Sequence, residues 1–456
     1  MDTLFFLVTC QMWSRVSPEY VTMGDVSPAK YLTKASTDRV APSVFSVTPD
    51  VSTRADFLQS DSISRRTWLS LIFVALASMV AQGFGRFTFP VLLKAIENEM
   101  LGSYTLAGLL SNVPLVAYLI GTAIVSVAST RIEAARLVKI GVSMSFLGLA
   151  LMAFAPNVWF LCLGLFVAGF GAAAVWVPAP GIAAALVGAK RGGMAIGLVG
   201  SGIGTGILVA GPLTNSVRAV THDEGAWRPV YAIQAGIAIF VLIGLFAVLR
   251  AGAKSEVTEK VAISVLTTVP NWKWILASFA VFGIAYSLYF YFLPTQLLSN
   301  GWSAQSSTLV FSLLGLSSIF GGVLFGRISD RYSRRLTMGF GFLLMSTAPI
   351  LSLSDIKPLV IVGAISFGLC VAGVPTTIGA MLSDSLSGRS FATAFGTITL
   401  GFGIAQLIGP PFAGWVGDQT GSFAIPFMVA SALALVAASF AIWMRPLEKE
   451  LSSSSV

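Results

Sequence analysis

Charge is scarce in this sequence: Asp, Glu, Lys and Arg make up 11% of its 456 residues, against about 25% in an ordinary soluble domain. Cysteine is scarcer still. Cys10, Cys162 and Cys370 have no pairable spacing, and the last two sit in apolar runs, where a free thiol behaves as a small hydrophobe. Neither a disulfide framework nor a metal site is expected. The one histidine, His222, lies in the polar stretch His222-Asp223-Glu224-Gly225, which excludes a His-based metal centre or a Ser/His dyad inside the apolar runs. Paired aspartates are missing from those runs too, so an intramembrane enzyme is excluded and no catalytic residue or cofactor is expected. The formal charge of +8 comes from basic residues scattered along the chain rather than from one basic face, which argues against a nucleic-acid partner.

What the chain has instead is apolar length. Hydrophobic residues make up 55% of it and the mean hydropathy is +0.83, which points to a lipid bilayer as its solvent. Twelve apolar runs fall at about 67–93, 105–128, 136–155, 158–187, 193–217, 228–249, 273–298, 304–326, 335–353, 358–382, 391–416 and 423–443. The expected organisation is a disordered N-terminal tail over 1–66, a six-helix half over 67–250, a linker over 251–271, a second half over 272–446 and a short tail over 447–456. The first tail is Ser/Thr-rich and balances seven acids with seven bases. Its run Leu4 to Thr9 is too short, and has no basic residues before it, for a signal peptide; Met12 and Met23 stand as alternative starts.

Local signals recur between the halves. Phe89-Pro90 returns as Leu293-Pro294, Phe170-Gly171 with Val177-Pro178 as Phe367-Gly368 with Val374-Pro375, and Gly211-Pro212 as Gly409-Pro410. Thr130-Arg131 sits where Asp330-Arg331 sits in the other half. Four matches in one order at nearly constant offset imply an ancestral duplication. Putting both termini in the cytoplasm leaves eighteen basic residues of the short loops and span ends inside and only Lys94, Arg218, Arg228 and Lys357 outside, so the positive excess is topological.

The segment Gly326-Arg327-Ile328-Ser329-Asp330-Arg331-Tyr332-Ser333-Arg334-Arg335 resembles the cytoplasmic loop signature of the major facilitator superfamily, Gly-x3-Asp-Arg-x-Gly-Arg-Arg. The resemblance extends over about 67–446. It implies an all-α membrane fold of twelve transmembrane helices in two pseudo-symmetric six-helix halves, acting as a monomeric carrier in the cell membrane. Ser333 replaces the usual glycine, and the first half reads Ser126-x3-Thr130-Arg131-x-Glu133, without the aspartate. The cytoplasmic gate is therefore expected mainly from Gly326, Asp330, Arg331, Arg334 and Arg335, with Arg131 opposite; the small Gly326 would let two helices cross closely. The fifth run, with Gly197, Gly200, Gly202, Gly204 and Gly206 leading to Gly211-Pro212, resembles the superfamily's Gly-Pro helix, and is taken as a mechanical feature. Gly83-Phe84-Gly85-Arg86-Phe87 is similar to first-helix sequences of little-characterised bacterial carriers.

Arg86 is the one ionisable group well inside an apolar run. Burying an arginine near the bilayer centre costs at least ~2.5–3.5 kcal/mol, which a water-filled path or an anionic partner relieves. Gln82 is one turn earlier, and the duplicated position offers Tyr286 and Tyr289-Phe290-Tyr291. A guanidinium with amide and aromatic neighbours suits a carboxylate. The expected substrate is a small organic monoanion, with any coupled proton carried on its own carboxylate. Snorkelling, or pairing with Glu97 or Glu99, is the structural alternative for Arg86. Asn112, Tyr118, Trp176, Gln234, Thr376, Thr377 and Gln406 complete the candidate lining. An exporter of neutral or amphipathic solutes, and a transporter-like nutrient sensor, are the competing functions.

Overall fold

A computed structural model of the chain describes residues 64–129, 131–187, 191–249, 263–386 and 388–445. The expected N-terminal tail to residue 63, most of the linker and the last residues lie outside them. The described residues are helical, with no strand. The helices are α1 (Arg65–Leu101), α2 (Tyr104–Ala128), α3 (Ala134–Ala153), α4 (Val158–Val187), α5 (Gly192–Thr221), α6 (Arg228–Val248), α7 (Trp272–Ser299), α8 (Ala304–Arg331), α9 (Arg334–Leu351), α10 (Lys357–Ser383), α11 (Gly388–Gln406, continuing as Gly409–Thr420) and α12 (Ala424–Trp443). Eleven of them are long and apolar enough to span a membrane. The twelfth, α9, is the shortest: it opens on Arg334 and Arg335 and packs between α10 and α12.

The elements follow from the sequence. Each run carries twenty or so apolar residues, enough for the ~30 Å hydrocarbon layer. Their outward faces are bare apolar surface, with Phe240, Ile243, Phe246 and Val127 all more than 60% exposed, as lipid contact requires. Glycines in the left-handed conformation, Gly102 and Gly301, turn the chain after α1 and α7, and Ser103 and Ser303 then cap α2 and α8. Ser333, where the family signature has glycine, caps α9 by accepting from Leu336 N at 3.2 Å.

Helix pairing shows the duplication. In the first half α1 packs on α5 and α6, α2 on α4, and α3 on α4 and α6; in the second α7 packs on α11 and α12, α8 on α10, and α9 on α10 and α12. The halves meet through α5 with α8, α2 with α11, and the ends of α1 and α7. Alternate α5 glycines serve both sides: a Cβ on Gly202 would lie 2.2 Å from Ala75 O and one on Gly206 2.5 Å from Gly83 Cα, whereas Gly204 and Gly211 face α8. Gly197 and Gly200, and Gly396 on α11, have nothing within reach. The close approaches and side-chain bonds between the halves gather toward the end carrying Asp418, while Gly197, Gly200 and Gly396 meet no neighbour.

Two structural details adjust the sequence reading. The helix α1 runs on to Leu101, so Lys94, Glu97 and Glu99 ride on its last turns rather than in a loop. A Cβ on Gly326 would meet only Thr376 Cγ2, at an ordinary 3.7 Å, so no close crossing occurs there. The tight α8–α10 crossing is at Gly321, against Leu369 O, and at Gly368, against Ser317 Oγ and Leu314 O.

Candidate functional site

Arg86 follows directly on a wider, π-helical stretch of α1, Met79–Phe84. Its neighbour Gly83 lies against Gly206, where a Cβ would come 2.7 Å from the Gly206 Cα, so α1 and α5 touch through backbone. Arg86 is 8% exposed. Its Nη1 donates to Gln82 Oε1 at 3.1 Å, and its Cζ stands 5.2 Å from the Phe87 ring centre and 5.0 Å from that of Tyr118. Its Nε is buried with no hydrogen-bond partner, and no described carboxylate pairs with it. Glu97 accepts from Lys94 Nζ at 2.8 Å; Glu99 accepts from Arg228 Nη1 at 2.5 Å and from Trp227 Nε1 at 2.6 Å. The alternative that Arg86 is neutralised by either glutamate is thus overturned: both are already engaged at the helix end.

The α7 aromatics divide in direction. Phe290 meets Phe87 edge-on at 5.2 Å, joining α7 to the Arg86 turn, and stacks on Tyr286 at 4.9 Å. Tyr289 turns the other way: its hydroxyl is 2.7 Å from Ser352 Oγ and its ring packs on Phe367 and Phe427. It belongs to the core of the second half and leaves the expected lining. Tyr291 is 1% exposed, and its hydroxyl has no ordinary hydrogen bond although the charge of Arg86 reaches it, as it reaches Tyr118 and Tyr286.

The same helix that carries Tyr118 also reaches the break in α11. Asn112 on α2 donates from Nδ2 to Leu407 O at 2.6 Å, leaving its Oδ1 buried and unpaired. Gln406 is 1% exposed with both amide atoms unpaired, while its backbone carbonyl accepts from Ser287 Oγ on α7 at 3.1 Å. Contacts thus run from Arg86 to Tyr118 on α2, from Asn112 on α2 to α11, from Gln406 to α7, and by charge from Tyr291 back to Arg86. Five buried polar atoms without partners sit on this circuit: Arg86 Nε, the Tyr291 hydroxyl, both Gln406 amide atoms and Asn112 Oδ1. Each costs about 1–3 kcal/mol when left unmet, so their concentration here calls for a ligand or water. The other candidates are outside the circuit. Trp176 is half-buried where α4 bends; Gln234 donates to Thr88 Oγ1 at 2.9 Å; Thr376 and Thr377 bond back to their own helix at Ala372 O and Gly373 O.

A family model described as "Uncharacterised MFS-type transporter YbfB" matches residues 78–442. The chain belongs to this family, and it is a major facilitator superfamily transporter. Among curated relatives, the probable sulfoacetate transporter SauU of Cupriavidus necator is 28% identical over 186 residues, 38% of this chain and 43% of that one. Monocarboxylate transporter 11 of Mus musculus is 26% identical over 329 residues, 68% of this chain and 72% of that one. Among solved structures, a bacterial homologue of the human lysosomal transporter Spinster, inward-facing and occupied, superposes with a TM-score of 0.66 at 19% identity, covering 86% of this chain and 99% of that one. A D-xylose-proton symporter gives 0.65 at 15% identity, with 83% and 98% covered. These likenesses establish the fold.

In this transporter the residues expected as a gate form a cluster within the second half. Arg334 pairs with Asp330 and, through Nε, with Asp384 Oδ2 at 3.1 Å, and donates from Nη1 to Ser329 Oγ at 2.9 Å. Arg331 stands over the Tyr332 ring at 5.9 Å, and Arg131 is exposed. Arg335 points away from Asp330 and donates to Met444 O at 2.8 Å, at the end of α12. Besides the Asn112 bond to Leu407 O, the side-chain bonds that join the halves lie at the other end, on residues outside the expected gate. Asp418 on α11 accepts from Ser103 Oγ, Tyr104 N, Thr105 N and Thr105 Oγ1 at the start of α2, all at 2.6–2.9 Å. Asn215 on α5 donates to Gln305 O at 3.2 Å and accepts from Thr308 Oγ1 at 2.8 Å. The available signal was an acid, Asp418, facing a Ser-Tyr-Thr helix start.

Proposed function

We propose that this transporter moves a small organic anion, a carboxylate of some apolar character, by alternating access, with Arg86 holding the anionic group. The observation that carries the reading is Arg86 itself: buried, without a carboxylate partner, its Nε unmet, and flanked by Gln82, Phe87 and Tyr118. A guanidinium so placed is poorly stabilised until an anion arrives, and its planar fork fits two oxygens at once. The relatives named for sulfoacetate and monocarboxylate transport handle small organic anions, which agrees with this chemistry.

Tyr291 supplies a second donor to the anion, and Gln406 with Asn112 receives the rest of the solute. With both termini in the cytoplasm, the closed Asp418 end is outside and the parted Asp330 end is inside, so the conformation described is open inward. Rocking to the outward state breaks the Asp418 and Asn215 bonds, brings Gly197 and Gly200 on α5 against the other half, and sets Arg131 opposite the Asp330–Arg334–Asp384 cluster. A proton, where one is coupled, rides on the substrate's carboxylate, since among the described residues no carboxylate accompanies Arg86.

The test is a thermal-shift screen of purified protein against short monocarboxylates, aromatic acids and neutral amphipathic compounds, repeated on Arg86→Ala, followed by uptake into proteoliposomes. A stabilising acid whose effect vanishes in Arg86→Ala is the expected result. A folded Arg86→Ala protein that transports at the full rate overturns it.

A further inference from the structure

Two shallow grooves lie on the outer, lipid-facing surface, one between α3 and α6 and one between α9 and α12. The first, about 280 Å³, is lined by Lys139, Ile140, Ser143, Met144, Leu147 and Phe246. The second, about 440 Å³, is lined among others by Arg335, Leu336, Gly339, Phe340, Leu343 and Ile442. Each residue of the first set has its counterpart 196 positions later in the second. The two grooves are thus one site, duplicated with the halves.

What the duplication kept is informative, because it did not keep everything: Asp330 corresponds in sequence to Thr130 in the other copy, and Arg86 has no charged counterpart on α7. At the groove positions the chemistry is the same in both copies. A cation comes first, then large apolar side chains, with a small residue, Ser143 or Gly339, at the floor. Large apolar residues on the rims are half exposed or more: Leu147 at 50%, Phe246 at 63%, Phe340 at 52% and Ile442 at 76%.

Both cations are held at the mouth. Lys139 Nζ stands 4.7 Å from the centre of the Phe246 ring. Arg335 is tied by Nη1 to Met444 O, and its Nε is buried with no partner. Neither has a carboxylate partner among the described residues. A lysine or arginine that merely snorkelled would extend into water; these two lie over their grooves. From the cation to the last apolar residue, Lys139 to Leu147 or Arg335 to Leu343, is eight residues, about 12 Å along a helix, most of one ~15 Å leaflet.

We propose that the two grooves are a symmetric pair of binding sites for anionic phospholipid, the phosphate at Lys139 or Arg335 and an acyl chain along the apolar wall. The occupant follows from charge complementarity and position. The grooves open on lipid, and their unpaired cations sit at the end of the bundle that also carries Arg131, Arg331 and Arg334, where anionic headgroups are attracted at about fivefold per basic residue. They grip the two peripheral helix pairs, α3 with α6 and α9 with α12, in each half.

The test is native mass spectrometry of the full chain released from detergent, titrated with phosphatidylglycerol or phosphatidylcholine of the same acyl chains. Two phosphatidylglycerol molecules are expected to persist under activation that strips phosphatidylcholine. Lys139→Gln and Arg335→Gln each lose one, with roughly fivefold weaker retention at the altered site, and the double variant loses both. Leu147→Ala, which keeps the cation and shortens the wall, weakens retention of one lipid while leaving thermal stability in detergent near that of the parent. Equal retention of the two lipids, or two retained phosphatidylglycerols in a folded double variant, overturns the proposal. So does a dimer of the parent protein that the double variant converts to monomer, since the grooves would then be covered by a second copy.

Discussion

Asp418 and Thr105 are joined twice, through the Thr105 backbone N–H at 2.9 Å and its hydroxyl at 2.6 Å, across more than three hundred residues of sequence and between the two halves. With the Ser103 and Tyr104 bonds, one carboxylate meets the free N–H groups that open α2, where a negative charge is favoured by the helix dipole as well.

Asp418→Asn keeps the shape but removes the charge and exchanges an acceptor oxygen for a donor. Charge-assisted bonds contribute about 1.5–3 kcal/mol each, so loss of even one net bond moves the closed–open balance by about tenfold. Electron-spin distance measurements between labels at the exposed Leu106 and Gln419 should show a new, longer population in this variant. An unchanged distance distribution would count against Asp418 as the fastening of this end.

Tyr291→Phe removes a buried hydroxyl that lies beside Arg86 without a hydrogen bond of full geometry, so thermal unfolding should stay within about 0.5 kcal/mol of the parent. Affinity for the anionic substrate should fall roughly tenfold, by one hydrogen bond to a charged group, while affinity for its neutral amide stays as it was. If acid and amide weaken alike, the hydroxyl is reading shape rather than charge.

The α5 glycines divide into two groups with opposite expected behaviour. Gly206→Val forces a side chain into the Gly83 backbone and should destabilise by about 1–3 kcal/mol. Gly200→Ala meets nothing in the described conformation and should be neutral to slightly stabilising, since alanine is the better helix former by about 1 kcal/mol. Gly200→Leu should also fold, yet turn over slowly, because closing the Asp330 end brings that surface against the other half. Rapid transport by a folded Gly200→Leu protein would contradict the rocking motion.

Arg334 balances two acids, and Arg334→Gln leaves Asp330 and Asp384 facing each other. A loss of about 1 kcal/mol is expected by denaturant titration in detergent, against no measurable change for the exposed Arg131→Gln. Equal effects of the two would mean that the Arg334 cluster adds nothing beyond its part in topology.

The helices were legible because a bilayer demands one thing, about twenty apolar residues at a time, and runs such as 158–187 and 228–249 meet it within a residue or two. Arg86 was legible for the same reason: a charge in such a run stands out. Direction around a helix was not. Tyr289 and Tyr291 lie two residues apart with similar chemistry, and only packing sends one to Ser352 and the other toward Arg86. Asp418 was missed because acids at helix ends are ordinary, and its partners lie far away in sequence.

The widened turn Met79–Phe84 also sets where Arg86 points. A π turn holds one residue more than an α turn, and one residue is about 100° of rotation. Every side chain beyond it is therefore phased differently from the first four turns of the same helix, and no 3.6-residue pattern drawn through α1 can be continuous. Removing a single residue from this stretch would leave composition, hydropathy and span length almost untouched, yet would swing the guanidinium a quarter-turn or more, away from Tyr118 and toward a neighbouring helix or the lipid. The proposed anion site would then rest on a count of residues, and a protein identical by every compositional measure would have lost it.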